Sequence, residues 1–290
     1  MMYVLPLLGG FASTDLYIPA VGRVEGVGGS QFYTTLWITN PSPTKFVDIQ
    51  IQFLPAGQTN PTPVTFNDRL APRETKVYEN FVESLFGIRG ILGGARVRSS
   101  EDILVSSRIY NQFPGEPIAN TQGLGFSAVP GSFGIAREER SRLQGVTQNP
   151  DFRYNFFFLE VAGRSVTLHF DLLDKLGATV AAADYQVLPY EQRLISLATI
   201  FPNRTIDGGV LEATVTAGEG RIILAGSLVA NRSQDASYFE MSFKLPAAIP
   251  GPVGPTGPTG ATGTRGLEGT PGEAGAQGTP GNSTGPVSAK

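Results

Sequence analysis

The sequence predicts an all-β fold: two tandem antiparallel β-sandwich modules followed by a triple-helical tail. Three observations predict it. Apolar and polar residues alternate along short segments, two stretches about 119 residues apart resemble each other, and glycine recurs at every third position near the C-terminus. A period of two is typical of strands with one buried face. A glycine at every third residue is what a triple helix requires.

Strands are predicted first where the alternation is strict. The segments 47–53 (VDIQIQF) and 166–172 (VTLHFDL) place an apolar residue at every second position. Further strands are predicted at 32–39, 74–79, 94–99, 103–111, 154–161, 177–187, 190–195, 210–216, 221–230 and 237–244. In the first module, Asn80 and Gly87 bracket a short helix as N-cap and C-terminal stop. The segment 196–202 occupies the same place in the second module.

The repeat defines the domain organisation. The stretch RVEGVGGSQFYTTLWITN from Arg23 aligns with RLQGVTQNPDFRYNFFFLE from Arg142. We therefore predict modules at 15–130 and 131–246, and we interpret the junction 131–141, with its charge cluster at 137–140, as a solvated connector. About seven short strands in each module resemble immunoglobulin-like or fibronectin-like sandwiches.

The N-terminal residues 1–14 have two interpretations. An apolar run followed by small residues indicates the remnant of a signal peptide, although a basic region before it is missing. The alternative is a frayed terminus or a first strand.

Composition excludes several classes of function. The chain has no cysteine, which removes disulfides, thiol catalysis and thiolate metal sites. The net charge is −3 and no block of Lys or Arg occurs, so no nucleic-acid partner is expected. No apolar run reaches the roughly 18 residues that a membrane span needs, so no membrane span is expected.

The tail, 247–290, contains the most specific pattern, the Gly-X-Y repeat of 251–283. Eleven glycines occupy every third position: Gly251, Gly254, Gly257, Gly260, Gly263, Gly266, Gly269, Gly272, Gly275, Gly278 and Gly281. Only glycine fits at the crowded axis of three wound chains. The stretch resembles collagen-like repeats, and its many threonines are closer to the bacterial and phage type than to animal collagens. The resemblance implies a homotrimer assembled through the tail.

Candidate site residues are few. His169 and Asp171 form an H-x-D pair, but alternation places them on a polar strand face. The segment 123–128 (GLGFSA) matches a dinucleotide fingerprint as a string, yet Val129-Pro130 follows it where a helix should begin. Tyr33 and Trp37 should project from the less buried side of their strand. We interpret this pair as covered by a loop or a neighbouring domain, or as a contact for a sugar ring.

These observations predict a secreted, non-enzymatic structural or adhesion protein, extracellular or at the cell surface. No catalytic, cofactor-binding or metal-binding residue is predicted. The expected partners are two further copies of the chain and an extracellular protein or glycan. The alternatives are a phage or virion fibre component, and a carbohydrate-binding accessory module or glycosidase.

Overall fold

A computed structural model describes residues 11–26, 29–242 and 244–246, together with Gly272 and Gly275. The chain divides into two units between Ile249 and Pro250. Apart from the two glycines, the predicted collagen-like tail lies outside the described residues. The described part is all-β, with two short α-helices, and none of the helices in it is long and apolar enough to cross a membrane.

The first half contains eight strands and one helix. In chain order they are β1 (Ser13–Glu25), β2 (Gln31–Thr39), β3 (Val47–Pro55), β4 (Val64–Leu70), β5 (Thr75–Tyr78), α1 (Phe81–Phe86), β6 (Ile91–Asn111), β7 (Gln122–Ser127) and β8 (Val129–Pro130). The eight strands belong to one continuous sheet.

Strand β6 folds this sheet into two layers. It is 21 residues long, where the sequence predicted two separate strands. Its first part, residues 91–99, pairs with β1 and β3, and its second part, 104–111, pairs with β2 and β7. We call the layer β4-β3-β6-β1-β8 sheet A, and the layer β5-β2-β6-β7 sheet B. Leu36 of sheet B and Ile51 and Val97 of sheet A belong to one buried core between the layers.

The second half contains nine strands and one helix. They are β9 (Glu139–Gln148), β10 (Phe152–Glu160), β11 (Val166–Leu173), β12 (Thr179–Val187), β13 (Gln192–Ser196), α2 (Leu197–Ile200), β14 (Ile206–Gly218), β15 (Ile222–Ala230), β16 (Ala236–Glu240) and β17 (Leu245–Pro246). Sheet C has the order β13-β10-β15-β16, and sheet D has the order β12-β11-β14-β9-β17.

The second half repeats the strand order of the first. Sheet C corresponds to sheet B strand by strand, and sheet D corresponds to sheet A, with β14 and β15 in place of the two parts of β6. In immunoglobulin constant modules, the first strand shares a sheet with the second, fifth and fourth. Here the first strand of each half pairs mainly with the sixth. The strand order of each half therefore differs from that of immunoglobulin constant modules, whereas the sandwich-like all-β architecture that we predicted is confirmed.

The strict alternation of the two clearest strands is confirmed. Along β3 the odd-numbered residues 47–53 are buried, and along β11 the even-numbered residues 166–172 are buried. In the second core, Phe156 of sheet C lies 5.1 Å from Phe170 of sheet D, measured between ring centroids. The aromatic residues of β10 thus fill the space between the two sheets.

One turn occurs twice at equivalent places. In 71–74 and 188–191, the fourth residue is a glutamate whose carboxylate accepts a hydrogen bond from the backbone N–H of the first, at 2.6 and 2.7 Å. The third residue has a positive φ, 61° at Arg73 and 54° at Tyr190. Proline at the second position presets φ for such a turn. This local geometry supports the alignment of the two halves.

The segment between the halves is not simply a solvated connector. Arg137 and Glu138 are exposed as expected, but Ile135 is fully buried and its backbone pairs with Ile222. Strand β9 begins at Glu139, only two residues after Arg137. Charged residues hide this strand from periodicity analysis, because their charges are neutralised across the sheet instead of being solvated.

The helix α1 is present but its start differs from the prediction. Asn80 lies at the N-cap in a left-handed conformation, with φ 43°, and its side chain makes no capping hydrogen bond. The amide instead donates to Glu83 at 2.9 Å. Gly87 ends the helix in the left-handed conformation, as predicted.

Apolar side chains join the two halves into one body. Phe157 and Ala225, on the outer face of sheet C, belong to the core of the first half. Tyr17 and Leu54 of the first half belong in turn to the core of the second. Each core is therefore completed by residues from the other half, which links their stabilities.

Backbone groups at the same junction are paired. The turn after β3 reaches the second half, where Gly57 N–H donates to the Gln192 carbonyl at 2.9 Å. Asn60 donates its side-chain amide to the Tyr190 carbonyl at 2.9 Å. The buried Gln192 side chain donates to the Pro19 carbonyl at 2.9 Å. Burying such groups without a partner would be costly.

A buried carboxylate organises the loops beside this junction. Glu160, at the end of β10, is fully buried. One of its oxygens accepts hydrogen bonds from the N–H groups of Ala162 and Arg221, at 2.7 and 3.1 Å. The other accepts from Gly163 and Tyr190, at 2.8 and 2.9 Å. Four backbone N–H donors thus compensate the charge of the carboxylate. One of them belongs to Tyr190, whose carbonyl accepts the hydrogen bond from Asn60.

We expect Glu160→Gln to lower the free energy of unfolding by about 1–3 kcal/mol, because the new NH₂ group faces backbone donors and leaves them unpaired. Urea unfolding followed by circular dichroism measures the change. Glu219→Gln, at an exposed position, is the matched control and should leave the midpoint unchanged. An unchanged midpoint in both variants would contradict the role assigned to Glu160.

Candidate functional site

The outer face of sheet B is the first candidate surface. In β2, residues 34, 36 and 38 are buried, while Tyr33 and Trp37 are only partly buried. Both therefore lie on the side of the strand away from the core, as the sequence predicted. No ligand tests their predicted contact role.

Neighbouring strands extend this surface. Directly across from Trp37 lie Val77 on the edge strand β5 and Ser106 on β6. Val77 is 50 % exposed, and Leu104, two residues before Ser106, is 37 % exposed. Tyr33 faces Tyr110 across the β2–β6 pair. We call Tyr33, Trp37, Val77, Leu104 and Tyr110 the aromatic face, of which Val77 and Leu104 are exposed, Tyr33 and Trp37 are partly buried and Tyr110 is buried.

Two arginines hold the tyrosines of the aromatic face. The rings of Tyr33 and Tyr110 stack with centroids 5.8 Å apart. The Arg23 guanidinium lies 4.3 Å from the Tyr33 centroid, and that of Arg108 lies 5.1 Å from the Tyr110 centroid. Stacked and cation–π contacts restrain the rings, so this end of the face is preorganised.

Strand β7 adds no bulky side chain beside Tyr110. Gly123 pairs with Tyr110, and Gly125 pairs with Arg108. A Cβ atom at Gly123 would come within 2.6 Å of the Tyr110 Cβ and closer still to the Ile109 carbonyl oxygen, so any larger residue would collide with β6. The aromatic face is therefore flat on this side.

Asp68 anchors the edge strand that carries Val77. The Asp68 carboxylate of β4 accepts hydrogen bonds from the Lys76 ammonium at 2.8 and 2.9 Å and from the Tyr78 hydroxyl at 2.8 Å. Lys76 and Tyr78 lie on the opposite side of β5 from Val77. Burial opposes ionisation of Asp68, but bonds from Lys76, the Arg69 backbone and Tyr78 outweigh it and lower its pKa.

In the second half, the position equivalent to Trp37 is covered. Phe157 is 9 % exposed and contacts the first half, with its ring centroid 5.9 Å from that of Phe126. Tyr238 lies 4.6 Å from the same ring. Phe157 is therefore covered by the first half, whereas Trp37, at the equivalent place, is partly exposed.

The remaining candidates lie on strands outside the aromatic face. His169 lies on the polar face of β11, where Nδ1 is 2.6 Å from Asp184 and Nε2 is 3.4 Å from Asp171. Both ring nitrogens thus have partners on the surface. Within the part of the chain that the structure describes, no group of three or more His, Asp or Glu residues is arranged to hold a metal ion. The segment 123–128 lies mostly in β7 and opens no helix.

Sequence reasoning missed three members of the aromatic face: Val77, Leu104 and Tyr110. Alternation within 75–78 and 103–111 contains the signal, since these residues occupy the same parity as exposed neighbours. Their proximity to Trp37 depends on strand register, which the sequence does not specify.

Comparisons with known proteins leave the family open. No protein-family model matches the chain, and no curated protein matches it. Among solved structures, Thermotoga maritima 1070 is similar with a TM-score of 0.33 and 13 % identity, over 41 % of this chain and 94 % of that one. A glycosyl hydrolase family 2 member from Bacteroides cellulosilyticus has a TM-score of 0.17 and 11 % identity, over 81 % of this chain and 27 % of that one. Likenesses this distant carry no argument about function.

We expect Asp68→Asn to lower the urea midpoint at pH 7 and to flatten its pH dependence in acid. Because the folded-state pKa of Asp68 is lowered, its stabilisation is present above the unfolded value of about 3.9 and is lost as the pH falls through the folded value. Urea titrations between about pH 2 and 7 measure both effects.

The control is Asp207→Asn, at an exposed position without an ion pair in the described structure. It should keep the wild-type midpoint at pH 7. If Asp68→Asn retained the full acid dependence of the wild type, the anchoring role of this carboxylate would be wrong.

Proposed function

We propose that this is a secreted, non-enzymatic structural or adhesion protein, in which a collagen-like tail assembles three copies of a two-module β head. The observation that carries the proposal is the run of eleven glycines at every third position from Gly251 to Gly281. A flexible linker needs no such spacing, whereas three wound chains do. The modules are those predicted at 15–130 and 131–246, and the equal strand orders of the two halves support that division.

Trimerisation would act mechanically. At about 3.1 Å per residue, the repeat would form a rod of roughly 100 Å. Three heads at one end of the rod would contact a surface together, so weak individual contacts would add up to strong attachment. The shared cores of the two halves suit this role, because a head that transmits load should move as one body.

We expect Gly266→Ala, near the middle of the repeat, to lower the melting temperature of the trimer while the head stays folded. A side chain at the axis disrupts the triple helix locally. Thr264→Ala, two residues away and off the axis, is the matched control and should change the melting only slightly. Circular dichroism follows the tail and the head separately, since their spectra differ.

Molar mass by light scattering on a sizing column tests the assembly itself. The full chain should be a trimer, and a chain ending at Pro246 should be a monomer. If both the full chain and the truncated chain were trimers, the head would be the part that assembles the trimer. A monomer in both, or equal melting of the Gly266→Ala and Thr264→Ala variants, would overturn the triple-helix proposal.

A carbohydrate-binding accessory module is the second candidate. The aromatic face favours it, because the partly exposed Trp37 lies beside the exposed Val77 on the outer side of the sheet, near Leu104. Flat aromatic side chains offer apolar area to the faces of sugar rings. Ser106, which lies across from Trp37, and Arg108 supply hydrogen-bond donors at the margin of the aromatic face.

We expect Trp37→Ala to reduce binding to any glycan held by the aromatic face by up to about tenfold, since one aromatic contact contributes about 0.5–1.5 kcal/mol. A glycan array with the full chain identifies the ligand, and titration calorimetry measures the change. Phe152→Ala, which removes a partly exposed ring elsewhere, is the control. No glycan bound by the intact protein, or equal effects of both variants, would count against this candidate.

A further inference from the structure

The outer face of sheet A presents an arginine without an acidic partner. In the register of β6, Arg98 lies between Asp15 on β1 and Gln50 on β3. Asp15 is the adjacent carboxylate, but it is bonded to Arg96 through two contacts of 2.8 and 2.7 Å. No ion pair or hydrogen bond of the Arg98 side chain occurs among the described residues. Its guanidinium donors therefore face solvent.

Two amide side chains continue the row that Arg98 begins. Gln50 pairs with Arg98 on one side and with Asn67 of β4 on the other. Neighbouring strands are about 4.8 Å apart, so the three side chains form a short polar line across the sheet. Within the described structure, neither amide makes a side-chain hydrogen bond. Each offers both donors and an acceptor.

This line lies in a shallow depression of about 600 Å³. Polar and charged residues that line it include Asp48, Gln50, Asn67, Asp68, Arg69 and Arg98. Both carboxylates at its margin are engaged elsewhere, since Asp48 lies 3.6 Å from Arg69 and Asp68 binds Lys76. The charge left uncompensated in the depression is therefore the positive charge of Arg98.

An exposed ring lies beside Arg69, one of the residues that line the depression. Phe46 is 55 % exposed, and the Arg69 guanidinium lies 4.8 Å from its centroid. An aromatic ring beside amides and an arginine combines an apolar surface with polar groups that accept several hydroxyls. That combination suits a ring-shaped, polyhydroxylated ligand.

The second half shows that the fold does not require unpaired groups on this face. On the equivalent outer face of sheet D, His169 is paired with Asp184 at 2.6 Å. Glu212 receives bonds from Arg140 at 3.2 Å and from Arg142 at 2.6 Å. His169 and Glu212 of sheet D thus have charged partners within their own sheet, whereas the side chains of Arg98, Gln50 and Asn67 have none among the described residues. The difference between two halves with the same strand order is what points to a ligand.

We propose that the depression on sheet A binds a saccharide that carries a carboxylate. The planar Arg98 guanidinium takes the carboxylate through paired hydrogen bonds. Gln50 and Asn67 take hydroxyl groups of the same or the next ring. An acidic peptide added as a strand would need the backbone groups of a sheet edge, but Arg98 and Gln50 lie on the inner strands β6 and β3 and offer side chains on the face of the sheet. The inference deepens the proposed function, because it names the ligand class of the head.

Titration calorimetry of the full chain with oligogalacturonate tests the proposal. Binding should occur with the acidic oligosaccharide and be absent with maltohexaose, which has no carboxylate. Arg98→Gln should weaken binding at least about tenfold, as expected for loss of a charge-assisted bidentate pair. Asn67→Ala, which keeps the charge, should weaken it about threefold through one lost hydrogen bond. Thermal melting checks that both variants are folded.

Arg204→Gln is the matched control, because it removes one exposed arginine from a different surface. The chain is net negative, so an anionic probe is not attracted by the overall charge. Absence of oligogalacturonate binding, or equal losses in the Arg98 and Arg204 variants, would overturn the proposal. If a poly-glutamate peptide bound equally or more tightly, and its binding depended on Arg98, the proposed ligand class would be an acidic peptide and not a saccharide.

The molar mass of the same samples separates this inference from the assembly proposal. A monomer that binds oligogalacturonate through Arg98 would refute the collagen-like stalk and retain the site. A trimer that does not bind it would refute the site and retain the stalk.

Discussion

The rest of the head depends on the burial of the outer face of sheet C against the first half. Sheet C is apolar on both sides: Phe156 and Phe158 face the core of the second half, while Phe157 and Tyr238 contact Phe126 of the first. A sheet with two apolar faces must be covered twice. The two halves consequently share their cores, and Glu160 and its four backbone donors hold the loops where they meet.

This packing decides which surfaces are available for recognition. Sheet C is closed by its neighbour, and His169 and Glu212 on sheet D have charged partners within that sheet. The Val77 and Leu104 end of the aromatic face on sheet B and the Arg98 depression on sheet A are exposed, and both belong to the first half. The second half thus supports the first, and a trimeric stalk would present three copies of each open surface together.

Whether an element could be predicted from the sequence depended on the chemistry of its residues. Strands β3 and β11 were predicted because their alternation is strict. Strand β9 was missed because charges that pair across the sheet resemble a solvated segment, and β7 was missed because its glycines carry no pattern. The position of Trp37 on an outer face was predictable from parity within β2. The depression around Arg98 was not, since it joins residues from β3, β4 and β6 through register alone.

The sequence by itself determined the all-β class, the internal duplication and the glycine period, because each is written in local spacing and side-chain size. Only the tertiary structure decided which of two equivalent aromatic residues stays open. Trp37 and Phe157 occupy the same place in β2 and β10, yet Phe157 is covered by the other half. Likewise, only the fold decided that Asp15 binds Arg96 and leaves Arg98 unpaired. Burial and pairing depend on what packs opposite a residue, and local sequence does not contain that information.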